Sequence, residues 1–452
     1  MIIYFLLILI IIFTIIAYFI EKRDIFSPAV LLCAGYLVAC MSCAFNIKKW
    51  GVELRLNTMG LILVGILFFA FGVFFIDLIS RKKSLKANEM SSIEIIELSW
   101  SKIIFFAVFD SIVLFLSIKD MLKISGGWLS TFNQTMNQFR MAYSYTDTSV
   151  NPIVVQLMKI SKGAAYTFLY VFFNNISITN KGKKIKNNIK YLIPVVIYLV
   201  LTLFRGGRLN IIMMMVAGLF MYYFTWHRKL GWDKTISGKF IKRFIISFVV
   251  FTLIFFGTRE LVGRQSQSTL IDYVTMYFGG SFQLLDQYLN TSNLNIVGAE
   301  TFPGIQQSLY KLGIGNEVIH KSLEFRTTPT GIYLGNIYTG LRRFYHDYGW
   351  WGLIIMQFIY GALFEFLYIK IKRIKILNTN NLFLVIIYSS ILFAPITQAM
   401  EDHFWIDLGL GYIIELIIMW ICVKWIMEFR LSRNKIIRKS WHEIPKTFEI
   451  MK

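Results

Sequence analysis

The chain alternates long apolar runs with short polar loops. Eleven runs can be drawn, at residues 2–20, 25–46, 59–80, 102–119, 154–176, 191–204, 209–226, 244–257, 350–369, 382–399 and 410–427. An α-helix needs about 20 such residues to cross the hydrocarbon core of a bilayer. The pattern therefore predicts an all-α polytopic membrane protein with about eleven transmembrane helices. The runs at 191–204 and 244–257 are short, and either extend into the adjoining loops or form broken helices. No polar stretch is long enough to be a soluble domain, so residues 1–452 form one integral membrane domain. One loop, 258–349, is far longer than the others. It is rich in aromatic residues, contains several glycines and Pro303, and is not low in complexity. It is expected to fold, as short helices lying over the membrane face. Neither an internal repeat nor the inverted symmetry of many transporters is visible.

Composition strengthens the membrane reading. The chain is 56% hydrophobic and 17% aromatic, and only 16% charged, where soluble proteins carry about a quarter. The formal net charge of +21 would suggest nucleic acid in a soluble protein. Here Lys and Arg gather in short loops between apolar runs, so no nucleic-acid partner is expected and the lipid bilayer is. By the positive-inside rule, the basic loops 81–86, 180–190, 227–243 and 370–375 and the basic tail 430–452 are cytoplasmic. The segments 47–58, 120–153, 205–208, 258–349 and 400–409 then lie outside, with the N-terminus outside and the C-terminus in the cytosol. The first run has no basic n-region and no small-residue cleavage site, so it reads as a retained helix. Cys33, Cys40, Cys43 and Cys422 all fall inside apolar runs and read as small packing residues, not as a disulfide framework or a zinc site.

Polar residues at the membrane face are the candidates for chemistry. Two runs meet at Arg205–Gly206–Gly207–Arg208. The glycines permit a tight turn, and two guanidiniums with backbone N–H groups at a helix start suit an anion, phosphate above all. The alternative is a pair of interfacial arginines snorkelling to headgroups. Arg259 and Arg264 open the long loop and either extend this site or simply flank a helix. The stretch NIYTGLRRFYHDYGWWG, residues 336–352, holds Arg342, Arg343, His346 and Asp347. On a helix Arg342 shares a face with His346, and Arg343 with Asp347. A neutral His346 is a candidate proton acceptor; the alternative is a His–Asp pair closing a helix end. Asp110, Glu365 and Glu415 lie within apolar runs, where a carboxylate needs a partner or a role. Glu401, Asp402, His403 and Asp407 include possible metal donors, but their spacing matches no metal motif.

The stretch GNIYTGLRRFYHDYGWWGLIIMQFIYG resembles the Wzy-type polymerases of bacterial O-antigen and capsule assembly. In that family N-x-Y-T, an aromatic, and D-[FY]-G-x-x-G lead into a late membrane helix. Here they read Asn336–Tyr338–Thr339, Phe344–Tyr345, and Asp347–Tyr348–Gly349 with Gly352. An Arg-bearing turn opening a middle helix and a large external loop before the motif are further points of similarity. The resemblance implies a GT-C-like fold in the bacterial plasma membrane. It implies a metal-independent glycosyltransferase with no cofactor. The enzyme would move a growing glycan from undecaprenyl diphosphate en bloc to a hydroxyl of a new lipid-linked repeat unit. A chain-length regulator is an expected protein partner. On this reading Arg205 and Arg208, then Arg259, Arg264 and Arg343, bind diphosphate. His346, oriented by Asp347 or Arg342, takes the acceptor's proton. Tyr338 and Tyr345 stack on sugars or anchor at the interface. An O-antigen ligase and a lipid-linked oligosaccharide flippase are the rival readings.

Overall fold

The computed structural model describes residues 1–80, 94–145, 150–178, 184–234, 238–263, 269–291, 300–315, 323–431 and 436–438. Its helices are α1 (Ile2–Ile20), α2 (Pro28–Phe45), α3 (Ile47–Trp50), α4 (Leu56–Ile79), α5 (Trp100–Ser125), α6 (Phe132–Tyr145), α7 (Pro152–Ile178), α8 (Lys184–Asn188), α9 (Leu192–Phe204), α10 (Leu209–Leu230), α11 (Gly238–Gly257), α12 (Leu270–Thr291), α13 (Pro303–Lys311), α14 (Leu341–Lys372), α15 (Thr379–Ile391), α16 (Phe393–Thr397) and α17 (Leu410–Glu428). The antiparallel strands β1 (Arg326–Thr327) and β2 (Tyr333–Gly335) form a small ribbon inside the long loop. At the start of the basic tail β3 (Phe429–Leu431) pairs with β4 (Ile436–Arg438), Phe429 opposite Arg438. Most of that tail lies outside the described residues.

Each of the eleven apolar runs falls within a helix or a closely spaced pair of helices. Among the described residues nine helical segments are long and apolar enough to cross a membrane. The chain is thus an all-α, multi-pass membrane protein. The short run at 191–204 extends back to Ile185, and the run at 382–399 is a span over Thr379–Thr397 broken at Leu392. Runs 154–176 and 244–257 form α7 and α11, which lie outside that set of nine; α7 carries Lys159, Lys162, Asn174 and Asn175 along its length. Large apolar side chains stay exposed on the bundle's outer surface, among them Ile8, Leu67, Phe115 and Ile421. In water such a surface would drive aggregation; in lipid it is the solvent-facing side.

The five segments assigned to one side from their low Lys content do share one face of the bundle. Asp120 pairs with Arg205, Arg208 reaches Tyr273, Lys49 pairs with Asp272, and Arg343 pairs with Glu401. The opposite face is closed by Asp24, which accepts hydrogen bonds from Tyr223, Tyr368 and Lys372, and by Arg228, which donates to the Ile374 carbonyl. Of the other carboxylates in apolar runs, Glu415 pairs with Lys162, while Asp110 and Glu365 are fully buried.

The long loop supplies the architecture of the first face. α12 lies across it, with Asp272 near its start bound to Lys49 and Asp286 near its end bound to the beginning of α4. Asp286 is 3% exposed and accepts from the Arg55 backbone N–H at 2.8 Å and from the Thr58 hydroxyl at 2.5 Å. It therefore caps α4 in trans, satisfying an N–H that has no partner within that helix. Asp286→Ala is expected to lower stability by about 1–2 kcal/mol, the range for losing such a cap, read as a fall in the thermal midpoint in detergent. An unchanged midpoint would show that this contact does not tie α12 to the bundle.

Candidate functional site

Two polar groups sit on this face. The first is built on the turn between α9 and α10. Gly206 has φ +72°, and the N–H groups of Gly206 and Gly207 bond back to the carbonyls of Leu203 and Thr202 at 2.9 and 3.0 Å. This is the double bond of a Schellman cap, with Gly in the left-handed position at the end of a helix. These two glycine N–H groups close α9 and are distinct from the N–H groups expected at the start of α10. The guanidiniums have their own partners. Arg205 pairs with Asp120 at 3.0 Å and touches the Met158 sulfur. Arg208 is 3% exposed and donates to the Phe255 carbonyl at 3.1 Å and to the Tyr273 hydroxyl at 2.8 Å, with the Phe255 ring 4.6 Å from its guanidinium carbon. Among the described residues no carboxylate is in ion-pair contact with it. Arg259 stands over the Tyr273 ring at 5.5 Å and so joins this group. Arg264 lies outside the described residues.

The second group is built on the first two turns of α14. The motif is helical from Leu341, so Arg342 and His346 share a face, as the spacing predicts. At Gly349 the backbone leaves helical geometry, with φ +63° and ψ −152°, a conformation open to glycine alone. The kink re-aims the polar turns relative to the apolar part of α14. It explains why this motif ends in Asp-Tyr-Gly.

The expected side-chain pairs are bridged through a segment that carries no local signal in the sequence, Glu300–Thr301. Arg342 donates to Glu300 at 3.0 Å and to Glu324 at 2.7 Å, and its guanidinium is sandwiched between the rings of Tyr288 and Tyr338, each 4.1 Å away. His346 shares a hydrogen bond of 2.6 Å with the Tyr288 hydroxyl through Nδ1, and its Nε2 lies 3.8 Å from Glu300. Asp347 accepts the backbone N–H groups of Glu300 and Thr301 at 3.2 and 2.7 Å. Arg343 donates to the Glu300 carbonyl at 3.0 Å and is held by Glu401 at 2.8 Å. Asp347 and Arg343 together grip one peptide segment from both its N–H and its C=O sides.

Electrostatics follow from these contacts. Burial alone would raise the Glu324 carboxyl, but the hydrogen bond and charge of Arg342, with Arg326 on its other oxygen, hold it down at about 2. Burial pushes Asp402 up to about 7, against the pull of the Phe404 and Trp405 N–H groups and of Arg343. Burial also raises Tyr338 to about 12. Arg342, Arg343 and Arg326 face Glu300, Glu324, Glu401 and Asp347. As it stands, this second group is rich in carboxylate, in contrast to the first.

The sequence reading gathers all these residues into one site. The structure separates them. Tyr273 and Tyr288, which touch the two groups, are fifteen positions apart on α12, about 22 Å at about 1.5 Å per residue. Tyr338 is fully buried with its face on Arg342, so it offers no ring to a sugar; Tyr345 packs edge-on to Trp350. Exposed rings lie instead on the ribbon, where Phe325 and Tyr333 stack at 5.8 Å and are 44% and 57% exposed. Residues missed from sequence are Tyr273, Tyr288, Glu300, Glu324 and Glu401. Glu401 stood in a polar cluster of the sequence; the others are single polar residues in the long loop, with no local pattern to mark them.

Fold and site together define a multi-pass α-helical membrane protein with a buried cationic group and an acid–imidazole cluster on one face. No family model, curated protein or solved structure matches the chain.

Proposed function

We propose that the protein is a metal-independent glycosyltransferase that polymerises undecaprenyl-diphosphate-linked oligosaccharide repeat units at the outer face of a bacterial plasma membrane. One observation carries the reading: Arg208 is a buried guanidinium at a membrane-face turn, set against Phe255 and Tyr273, with no carboxylate paired to it among the described residues. Such a cation is costly to keep unless an anion completes it. Beside lipid, a diphosphate headgroup is the natural one.

The spacing of the two groups fits the chemistry of joining repeat units. A donor's reacting carbon is bonded directly to its diphosphate. An acceptor unit's reacting hydroxyl lies on a sugar away from its lipid. Arg208, with Arg205 and Arg259, takes the acceptor's diphosphate, and the acceptor's reacting end extends along α12 to the second group. There the donor glycan transfers en bloc and its diphosphate leaves. Arg342 and Arg343 turn from Glu324 and Glu401 to the developing charge, the role a metal fills in other transferases. Phe325 and Tyr333 give stacking faces to the glycan.

The test is the surface glycan of a strain lacking this chain. A polymerase deletion leaves a single repeat unit on its carrier, restored to a ladder by the wild-type chain. Loss of every unit points to a ligase or flippase, and an unchanged ladder overturns the proposal.

A further inference from the structure

Resting on the polymerase reading, we infer that Glu300, and not His346, is the base that deprotonates the acceptor hydroxyl. His346 has its Nδ1 in a 2.6 Å hydrogen bond with the Tyr288 hydroxyl, and its Nε2 stands 3.8 Å from Glu300, beyond hydrogen-bond distance but on the carboxylate's side. With the phenol donating to Nδ1, the imidazole proton sits on Nε2 and faces a carboxylate, leaving no nitrogen lone pair for substrate.

Glu300 has the opposite arrangement. Its Oε1 accepts from Arg342 and faces His346, while its Oε2 makes no hydrogen bond among the described residues. Its side chain is 16% exposed while Oε2 itself is buried, so Oε2 is an unpaired buried acceptor that the acceptor hydroxyl completes when it enters the cluster. Glu324, the other carboxylate on Arg342, has both oxygens committed, one to Arg342 and one to Arg326. Of the two, Glu300 alone keeps an open lone pair.

Its backbone is also the most firmly held in the cluster. Asp347 receives the N–H groups of Glu300 and Thr301, Arg343 donates to the Glu300 carbonyl, and the Thr301 hydroxyl donates to the Arg343 carbonyl. A general base needs its oxygen fixed within hydrogen-bond reach of the proton it removes. Asp347 and Arg343 are thus positioning residues for Glu300, and Arg342 orients its carboxylate by the hydrogen bond to Oε1.

In the step itself, the acceptor oxygen bonds to the donor's anomeric carbon as its proton passes to Glu300 Oε2. The bond from that carbon to the diphosphate oxygen breaks, and its electron pair leaves with the diphosphate. The proton on Glu300 then returns to the departing diphosphate or to water.

The experiment uses the purified full chain in liposomes with lipid-linked repeat units extracted from the deletion strain. Glu300→Gln keeps an oxygen for Arg342 but removes the base. Turnover should fall by about 10²–10⁴-fold, the range for a general base, with KM and thermal midpoint unchanged and partial recovery in Glu300→Asp. Glu324→Gln disturbs the same arginine without touching the base, so it should lower turnover by clearly less than Glu300→Gln. If Glu300→Gln turns over like wild type, or Glu324→Gln falls as far, Glu300 is not the base, although wild-type polymer formation would still stand. If the wild-type chain makes no polymer from these units, the polymerase reading fails and the assignment of Glu300 fails with it.

Discussion

Arg208→Ala is expected to yield a folded protein whose KM for the repeat unit rises by about 10–10²-fold, the usual cost of losing a hydrogen-bonded charge contact to an anion. The physical basis is the unusual state of this guanidinium. Its hydrogen bonds go to one backbone carbonyl and one phenol, and aromatic rings lie against it. No acid among the described residues is left uncompensated when it is removed. Lost packing on Phe255 and Tyr273 should lower stability, but less than Arg343→Ala, which strands Glu401 and the Glu300 carbonyl. Arg208→Lys keeps the charge but cannot span two acceptors in one plane, so it should recover only part of the affinity. The checks are the glycan ladder in complemented cells and the extension rate in liposomes, beside the thermal midpoint. With the acceptor's diphosphate at Arg208, the defect should appear chiefly as a raised KM for the repeat unit. A normal ladder from a normally folded Arg208→Ala protein would remove the main support for the proposed function.

Gly361→Leu is expected to be the most damaging single change to the fold. α4 and α14 share the most extensive helix–helix contact in the bundle, and they approach backbone to backbone. A Cβ on Gly361 would lie 2.0 Å from the Phe69 carbonyl oxygen, and one on Gly72 would lie 2.2 Å from the Phe358 carbonyl oxygen. Small residues at crossing points let transmembrane helices pack this closely, and dispersion between them replaces the hydrophobic drive that lipid does not supply. Overpacking in a core costs about 1–3 kcal/mol when side chains can adjust. Here the obstacle is backbone, so the helices must part. α14 carries Arg342 through Asp347 at one end and Lys372, bound to Asp24, at the other. Parting it from α4 therefore disturbs both faces. Thermal unfolding and size-exclusion profiles in detergent should show a large loss for Gly361→Leu and little for Ile359→Leu, whose side chain is 42% exposed towards lipid. A wild-type midpoint for Gly361→Leu would contradict the helix crossing described above.

These two residues also mark how far the sequence could be read. Arg208 stood out in one dimension, because a guanidinium flanked by glycines between two apolar runs is locally anomalous. Gly361 did not, because a glycine in a membrane helix carries no sign of which backbone it will meet. The same division runs through the site. The helical spacing of Arg342, Arg343, His346 and Asp347 was legible, and so was the turn at Gly206 and Gly207. Glu300 and Glu324 were not, since each is one acid in a long loop, brought to Arg342 only by folding.

The sequence by itself determined the membrane class, the position of nearly every span and the segments that share a face. These follow from local quantities, the length of an apolar run and the charge of the loop beside it. It also determined that α14 would begin with a polar turn, because helix periodicity is local too. The tertiary structure alone decided which carboxylate holds which arginine, that Asp286 caps α4, and that the arginine turn stands about 22 Å along α12 from His346. Those facts depend on where α12 and the Glu300–Thr301 segment settle across the bundle. That placement is set by packing and hydrogen bonds between residues far apart in the chain, which no local pattern encodes.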